Sequence, residues 1–324
     1  MELDAKDKKL LYEIDLNARL GTSELGKRIG VSQERTHYRL KRLEERKIIT
    51  GFNALLDFSK MGYTGYAVYA RFQNVNDKRK KIIIEGLKKD NHIYWIASFG
   101  GRFDLAFAIM SKNIVEFNEV LTKISTKYNK YLKDLNVAIR VELVQFPREY
   151  LLNTKSLKTI APRFGKHFDD AKIDELDKDI IRLLTKDSRI SSLKISEAIN
   201  EPVSTVRLRL KQLEKREIIQ GYSAQIHCQE FGYQSYQLFL KTQNLTQERK
   251  QALFDYCINH KNVIFYIESV GSWNFEIIYE VKNQKELQSM ITEMRTSFSD
   301  IILDVESIVL FDHYVKYNQY PFKE

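Results

Sequence analysis

The chain has 324 residues, of which 43% are hydrophobic and 29% charged, a composition typical of folded globular domains and not of disordered chains. Lys and Arg outnumber Asp and Glu by 52 to 43, and the resulting formal charge of +9 mildly favours an anionic partner. Two cysteines and six histidines without ligand-like spacing exclude a disulfide framework and a zinc site. With no signal peptide and no apolar run of membrane-spanning length, the sequence predicts a soluble cytoplasmic protein that has no membrane contact, metal or cofactor.

Residues 1–55 predict a winged helix-turn-helix domain. A first helix from about Asp4 to Leu16 begins at a capping aspartate and carries an apolar stripe. A short second helix follows Thr22 or Ser23, and a third spans Ser32–Arg46. The β-branched and apolar run Ile48–Leu55 predicts a strand that forms the wing or the connector to the next domain.

The third helix has the features of a DNA-reading helix. Gly30 precedes it at a turn that favours positive φ, and Ser32 can cap it. The helical period buries Thr36, Leu40 and Leu43 and turns a basic face outward, which suits a helix in the DNA major groove. A solvated amphipathic helix is the alternative. The residues predicted to contact DNA are Ser32, Gln33, Arg35, Thr36, His37, Tyr38, Lys41 and Arg42.

Residues 60–152 change period and predict a ferredoxin-like domain. The segments alternate in the order β-α-β-β-α-β, which is the split βαβ motif. The predicted strands are Tyr63–Phe72, Ile93–Phe99, Phe103–Met110 and Val137–Phe146, and the predicted helices are Asp77–Lys89 and Ile114–Tyr128.

The whole pattern occurs twice. Residues 170 positions apart match, as Asp4 and Asp174, Arg19 and Arg189, or Gly51 and Gly221 do. A second winged helix-turn-helix is predicted at 173–225 and a second ferredoxin-like domain at 230–324, joined to the first pair by a linker at 153–172 that lets the second half dock in many ways. The alternative for the linker is a partly ordered loop packed on one domain. The predicted fold class is α+β, in two tandem units.

The two reading helices differ. Arg35, Tyr38 and Arg42 correspond to Thr205, Leu208 and Gln212, so the first domain is expected to dominate DNA affinity, or the two domains read different half-sites. In the second helix the predicted DNA contacts are Ser204, Thr205, Arg207 and Lys211. Arg39 and Arg209 lie nearer the core edge, where a structural ion pair is favoured.

These motifs resemble the Lrp/AsnC (feast/famine) family of transcription regulators. The resemblance rests on Leu3-Asp4-x-x-Asp7, Asn17-x-Arg19, Ile29-Gly30-Val31-Ser32, Arg39-Leu40-x-x-Leu43-Glu44 and Ile48-Ile49-x-Gly51-Phe52. It implies a DNA-binding regulator that recognises pseudo-palindromic double-stranded DNA as a dimer and responds to an amino acid. The amino acid would bind near a hairpin, here Gly101, Arg102, Phe103 and Asp104 in the first copy and Gly271, Trp273 and Asn274 in the second. A structural role for these turns, with Asp104 as a cap, is the alternative.

Several alternatives stay open at this point. The two units can pair within one chain as a pseudo-dimer, or each can pair with another chain. Some proteins of this architecture resemble siroheme decarboxylases, which carry a His-Asn-Tyr type segment before the hairpin. Here that strand reads Tyr94-Trp95-Ile96-Ala97-Ser98 without the histidine, so the sequence predicts no enzyme and no catalytic residues. A small-molecule sensor without DNA binding is the third hypothesis.

Overall fold

The structure, a computed structural model, describes residues 3–152, 161–166 and 171–316. The first helix-turn-helix consists of α1 (Ala5–Leu16), α2 (Thr22–Ile29) and α3 (Gln33–Glu45), followed by strand β1 (Ile49–Leu56). Asp4 and Ser32 cap α1 and α3 by accepting the backbone N–H groups of Asp7 and Arg35, as predicted. The predicted left-handed turn is also confirmed, since Gly30 has a φ of +71°.

The first ferredoxin-like domain follows the predicted order. Its elements are β2 (Thr64–Phe72), α4 (Asp77–Lys88), β3 (Ile93–Gly100), β4 (Leu105–Ser111), α5 (Ile114–Lys127) and β5 (Leu132–Gln145). Strand β5 begins at Leu132 and not at the predicted Val137, because its first residues pair with the end of β2, where Leu132 lies opposite Phe72. The polar residues in this stretch hid that pairing from the sequence pattern.

The short strand β6 (Arg163–Gly165) belongs to the predicted linker and pairs with β5. Farther along the linker, the Ala171 N–H donates to the Lys60 carbonyl at 3.0 Å. The described parts of the linker are therefore held on the first half, which corrects the expectation of a freely docking connection. The other linker residues, 153–160 and 167–170, lie outside the described residues.

The second half repeats these elements. They are α6 (Glu175–Lys186), α7 (Ser192–Ile199), α8 (Val203–Lys215), β7 (Ile219–Ile226), β8 (Gln234–Thr242), α9 (Gln247–Asn259), β9 (Val263–Gly271), β10 (Phe275–Val281), α10 (Gln284–Ser297) and β11 (Ile302–Lys316). Asn200 takes the left-handed conformation of Gly30, with a φ of +55°. Pro202 precedes α8 without a side-chain capping bond, as the loss of the serine predicts.

The two ferredoxin-like domains close into one barrel. Each long strand pairs with two neighbours in the order β2, β4, β3, β11, β8, β10, β9, β5 and back to β2. Strands β5 and β11 begin in their own half and end in the other: β5 pairs first with β2 and then with β9. The structure thus shows the intrachain pseudo-dimer, one of the two arrangements that the sequence left open.

The connector strands join the halves a second time. Strands β1 and β7 pair antiparallel, with Asn53 opposite Ser223, its counterpart in the repeat. Each helix-turn-helix packs on the connector of the other half: Leu10 and Leu11 of α1 share a core with Ala224 and Ile226. Within the part of the chain that the structure describes, we find no helix with the length and apolarity to cross a membrane.

Candidate DNA interface and interior cavity

The outward face of α3 carries exposed polar and aromatic side chains. Tyr38 has 65% of its surface exposed. The other exposed members of this face are Ser32, Gln33, Arg35, His37 and Lys41. Thr36 is buried, and its hydroxyl donates to the Ser32 carbonyl at 2.8 Å. Its predicted place among the DNA contacts is therefore wrong, because its side chain packs inside the domain.

Two arginines on α3 are tied to α1 by ion pairs. Arg39 Nη1 lies 2.7 Å from Asp4 Oδ2 and 2.6 Å from Asp7 Oδ1, and Arg42 Nη2 lies 2.6 Å from Asp7 Oδ2. The structural role predicted for Arg39 is confirmed, and Arg209 repeats it with Asp174 at 2.8 Å. Because Asp7 is buried, Arg42 balances a charge inside the domain, and its DNA contact stays a prediction.

The outward face of α8 is less basic and more apolar. Ser204, Arg207 and Lys211 are exposed, whereas Thr205 is half-buried. Leu208, at the position of Tyr38, is 55% exposed. Nothing in this difference measures DNA affinity, so the larger contribution expected of the first domain stays a prediction.

Two arginines at corresponding positions of the repeat connect the two helix-turn-helix domains by hydrogen bonds. Arg19 donates from Nη1 and Nη2 to the carbonyls of Ser188 and Ile190, at 3.1 and 3.2 Å. Arg189 donates in return to the Ala18 carbonyl at 2.6 Å. These reciprocal bonds fix the two reading helices relative to each other, and hence the spacing of any half-sites they read.

The predicted effector hairpins point into the barrel. Phe103 and Trp273 are buried at 1% and 3% exposure. Asp104 Oδ2 accepts the Phe72 N–H at 2.8 Å, and Asn274 Oδ1 accepts the Thr242 N–H at 2.7 Å. In each copy a single side-chain oxygen accepts this N–H. Both Asp and Asn have such an oxygen, so either residue can cap the turn. Gly101 and Gly271 form the turns, both with positive φ, and Arg102 is exposed and paired with Glu306.

A buried polar cluster crosses the barrel interior, and sequence analysis missed it. Arg140 on β5 forms an ion pair with Glu276 on β10, which also accepts bonds from Tyr69 Oη at 2.7 Å and Trp273 Nε1 at 2.8 Å. Burial and the Glu276 charge raise the pKa of Tyr69, so its hydroxyl stays a proton donor. In the repeat the corresponding residues are Leu310, Ala106, Phe239 and Phe103, so the cluster has no second copy.

An interior cavity of about 430 Å³ lies beside this cluster in the first half. That volume is within the range of small-molecule sites. Strands β1, β2, β5 and β6 and the 3₁₀ turn at Phe58–Lys60 form its walls. Its lining is mainly apolar and aromatic, with four charged residues: Asp57, Arg140, Glu142 and Lys166.

Asp57 is the distinctive charge in this cavity. Its carboxylate accepts the N–H groups of Ser59 and Gly165, both at 3.1 Å, and burial raises its pKa. Glu142 is neutralised by Arg163 and Lys166, and Arg140 by Glu276. Among the ion pairs of the described residues none involves Asp57, so its carboxyl group is the acidic group of the cavity wall without an ion-pair partner.

A second buried cluster joins α1 to the other half of the chain. Arg148 donates from Nη1 to Asp15 at 2.8 Å and from Nε to Glu280 at 2.9 Å, and Tyr150 also donates to Glu280. Each of these four residues is less than 10% exposed. A comparison of the two copies would have revealed the cluster, because Asp15 and Glu280 correspond to Thr185 and Met110.

Comparison with known proteins agrees with this architecture. An AsnC-type helix-turn-helix domain matches residues 3–44, and a winged helix-turn-helix DNA-binding domain matches residues 173–220. An uncharacterised HTH-type transcriptional regulator of Pyrococcus furiosus is 30% identical over 121 residues, which are 37% of this chain and 80% of that protein. The chain belongs to the Lrp/AsnC family of DNA-binding transcription regulators. The proline dehydrogenase transcriptional activator of Rhodobacter capsulatus is 28% identical to this Lrp/AsnC chain over 125 residues, 37% of this chain and 78% of that one.

A solved structure matches the Lrp/AsnC chain over both units. The siroheme decarboxylase NirDL, in complex with an iron-uroporphyrin III analogue, aligns with a TM-score of 0.62 and 13% identity, covering 99% of this chain and 95% of that one. At this identity the match shows a shared fold. It also contradicts the expectation that the chain is not an enzyme, because an enzyme has the same architecture from end to end.

Proposed function

We propose that this protein is a transcription regulator that reads DNA chiefly through α3 and responds to a small amine-bearing ligand, such as an amino acid, in the interior cavity. The observation that carries the proposal is the wall that the cavity shares with the connector of the reading domain. Residues 54–57, at the end of β1, line the cavity.

The connector offers a physical route from ligand to DNA. The Asp57 N–H donates to the Ile218 carbonyl at 2.9 Å, immediately before β7 begins in the second half. A ligand that displaces β1 would therefore act on both connectors together. A shift of the connectors that breaks the bonds of Arg19 and Arg189 across the two domains would free α3 and α8 to change their spacing.

The ligand class follows from charge and size. An ammonium group would neutralise Asp57, and the aromatic and aliphatic walls would surround an apolar side chain. This site differs from the hairpins predicted from the sequence. Asp57→Asn keeps the accepting oxygen and removes the charge, so it should abolish the thermal shift given by a responsive amino acid. Asp104→Asn, which copies Asn274, should leave that thermal shift unchanged. If Asp104→Asn abolished the shift and Asp57→Asn did not, the ligand would bind at the hairpin and not in the cavity.

DNA binding is tested by titrating promoter fragments, including the protein's own, across a salt series. Arg35→Ala should weaken specific binding by about 1–3 kcal/mol if this side chain reads a guanine. Thr205→Ala, at the matching position of α8, is the control and should have a smaller effect. Equal losses would contradict the dominance of α3. Binding that is weak and indifferent to sequence would contradict specific recognition.

Tetrapyrrole decarboxylation is the second candidate function, favoured by the end-to-end fold match to NirDL. Burial raises the pKa of Tyr94 in the cavity wall, so its hydroxyl would keep a proton to donate. Anaerobic addition of siroheme would give a shifted absorbance band and a product that has lost carboxyl groups, detected by mass spectrometry. Tyr94→Phe should slow the loss of carboxyl groups while leaving the absorbance shift. An unchanged spectrum would dismiss this candidate without affecting the DNA titrations.

A further inference from the structure

A polar pocket of about 200 Å³ lies where the linker strand β6 meets the second half of the chain. Its charged and hydroxyl groups come from Arg163 and Lys166 of the linker, Glu142 of β5, Lys250 of α9 and Tyr266 of β9. Its volume is below the usual range of sites for drug-sized molecules, so the polar pocket suits an ion or a very small molecule. It is distinct from the interior cavity, although Glu142 and Lys166 line both.

The charged groups around the polar pocket leave an excess of positive charge. Glu142 pairs with Arg163 and Lys166, whose nitrogens lie 3.2 and 2.8 Å from its oxygens. Lys250 pairs with Glu268. Three cations therefore face two carboxylates, and each cation has further N–H groups besides those in these pairs. A surplus of positive charge and of hydrogen-bond donors favours an anion with several acceptor oxygens.

Tyr266 adds a buried hydroxyl to the wall of the polar pocket. Tyr266 is 1% exposed, and within residues 3–152, 161–166 and 171–316 its hydroxyl has no hydrogen-bond partner. Burial raises the pKa of Tyr266, so the hydroxyl stays a proton donor, and the nearby charges of Glu268, Glu142 and Arg163 also act on that pKa. A buried donor without a partner lowers stability, and an anion in the polar pocket would supply the missing acceptor.

The first half shows that the fold does not need this hydroxyl. Ile96 and Ile84 take the positions of Tyr266 and Phe254, 170 residues earlier, and belong to one apolar core. In the second half the Phe254 ring packs edge-on against Tyr266, with centroids 5.4 Å apart, and the Arg163 guanidinium lies 4.5 Å from its centroid. The hydroxyl therefore occurs in the half in which the linker places a cation beside it.

We propose that the polar pocket binds a phosphate group, either as free phosphate or as part of a small phosphate ester. The phosphate oxygens accept from the Tyr266 hydroxyl and from the remaining N–H groups of Arg163 and Lys250. A phosphate group fits because it has several strong acceptor oxygens and about two negative charges at neutral pH. Arg163 and Lys166 are half-exposed, so the polar pocket opens to solvent on the linker side. The inference goes beyond the proposed function and does not depend on it.

Isothermal titration of the full-length chain with inorganic phosphate, in chloride buffer of constant ionic strength, tests the proposal. Tyr266→Phe removes only the hydroxyl, and phosphate should bind to it about tenfold more weakly. Tyr279→Phe is the matched control, because Tyr279 is fully buried in the same core and does not line the polar pocket. It should bind phosphate as the unmodified chain does. Glycerol phosphate is titrated in parallel, and the tighter of the two ligands identifies the source of the phosphate group.

The stability of the variant separates a binding role from a structural one. Without phosphate, Tyr266→Phe should unfold at the same urea concentration as the unmodified chain or at a higher one, because it loses a donor without a partner. A lower midpoint would show that the hydroxyl already has a partner in the folded protein, and would overturn the proposal. Equal phosphate affinity in the two tyrosine variants, or acetate that binds as tightly as phosphate, would also overturn it.

A second pair of variants tests the role of the cations. Arg163→Gln should weaken phosphate binding about tenfold, whereas Arg71→Gln, which removes another half-exposed arginine from an ion pair, should not. Equal losses would assign the binding to net charge, and no loss in either variant would place the phosphate outside the polar pocket; both results would overturn the proposal. Because the DNA and amino-acid titrations are separate measurements, failure here leaves the proposed function standing.

Discussion

Replacing Arg148 with Met should be among the most destabilising single changes in this protein. Arg148 is 3% exposed and donates to both Asp15 and Glu280, which are themselves buried. Methionine has a similar length without charge or donors, so two buried carboxylates would lose their cation. Removing one partner of a buried ion pair costs about 3–5 kcal/mol. We expect a loss of that size in the free energy of unfolding at pH 7, measured by urea denaturation.

Two further variants separate lost charge from lost packing. Arg71→Met is the control, because Arg71 pairs with Asp134 on the surface at 3.7 Å and should contribute at most about 1 kcal/mol. The triple variant Asp15→Thr, Arg148→Asn and Glu280→Met replaces the charged set with neutral residues and should recover most of the lost stability. A loss below about 1 kcal/mol for Arg148→Met, or a triple variant no better than the single one, would refute the reasoning about unpaired charge.

Three other changes test separate parts of the structure. Lys41→Ala should reduce the slope of log affinity against log salt by about one if Lys41 contacts a phosphate, and an unchanged slope would remove it from the interface. Arg19→Ala should loosen the pair of reading domains, seen as a lower preference for one half-site spacing in binding to spaced operators. Burial raises the pKa of Asp57 in the folded protein, so folding favours the protonated carboxyl group. The stability that results is present at low pH and is lost as the pH rises through the pKa of the folded state. Asp57→Asn should therefore stabilise the protein at pH 7, and the difference should shrink as the pH approaches 4; a constant difference would contradict this assignment.

Local features were predictable from the sequence because local chemistry determines them. The cap at Ser32 and the left-handed turn at Gly30 each depend on a single residue and its neighbours. The start of β5 at Leu132 depends on its partner strand, and the hydrophobic pattern does not contain that information. Thr36 was assigned to both the core and the DNA face, and its burial decides between them.

The barrel and the cavity could not be predicted from the sequence, for a related reason. Closure requires β5 to pair with β9, at least 120 residues later, and no local period encodes which half provides that partner. Arg140 and Glu276 could not be identified from the sequence, because neither lies in a recognisable motif. Each differs from its own counterpart, however, and such differences between the copies mark where the two halves stopped being equivalent.

The polar cluster in the barrel determines which halves can pair, because its charged residues come from different halves of the chain. If two first halves paired, as in a homodimer, Arg140 would face Ala106 of its mate and not Glu276, which would leave a buried cation without a partner. If two second halves paired, Glu276 would face Leu310 and be equally uncompensated. Only a first half with a second half satisfies both charges, as in the pair of Arg140 and Glu276. The cluster therefore selects the mixed pairing, in which the two halves of the barrel and their two reading helices are not identical.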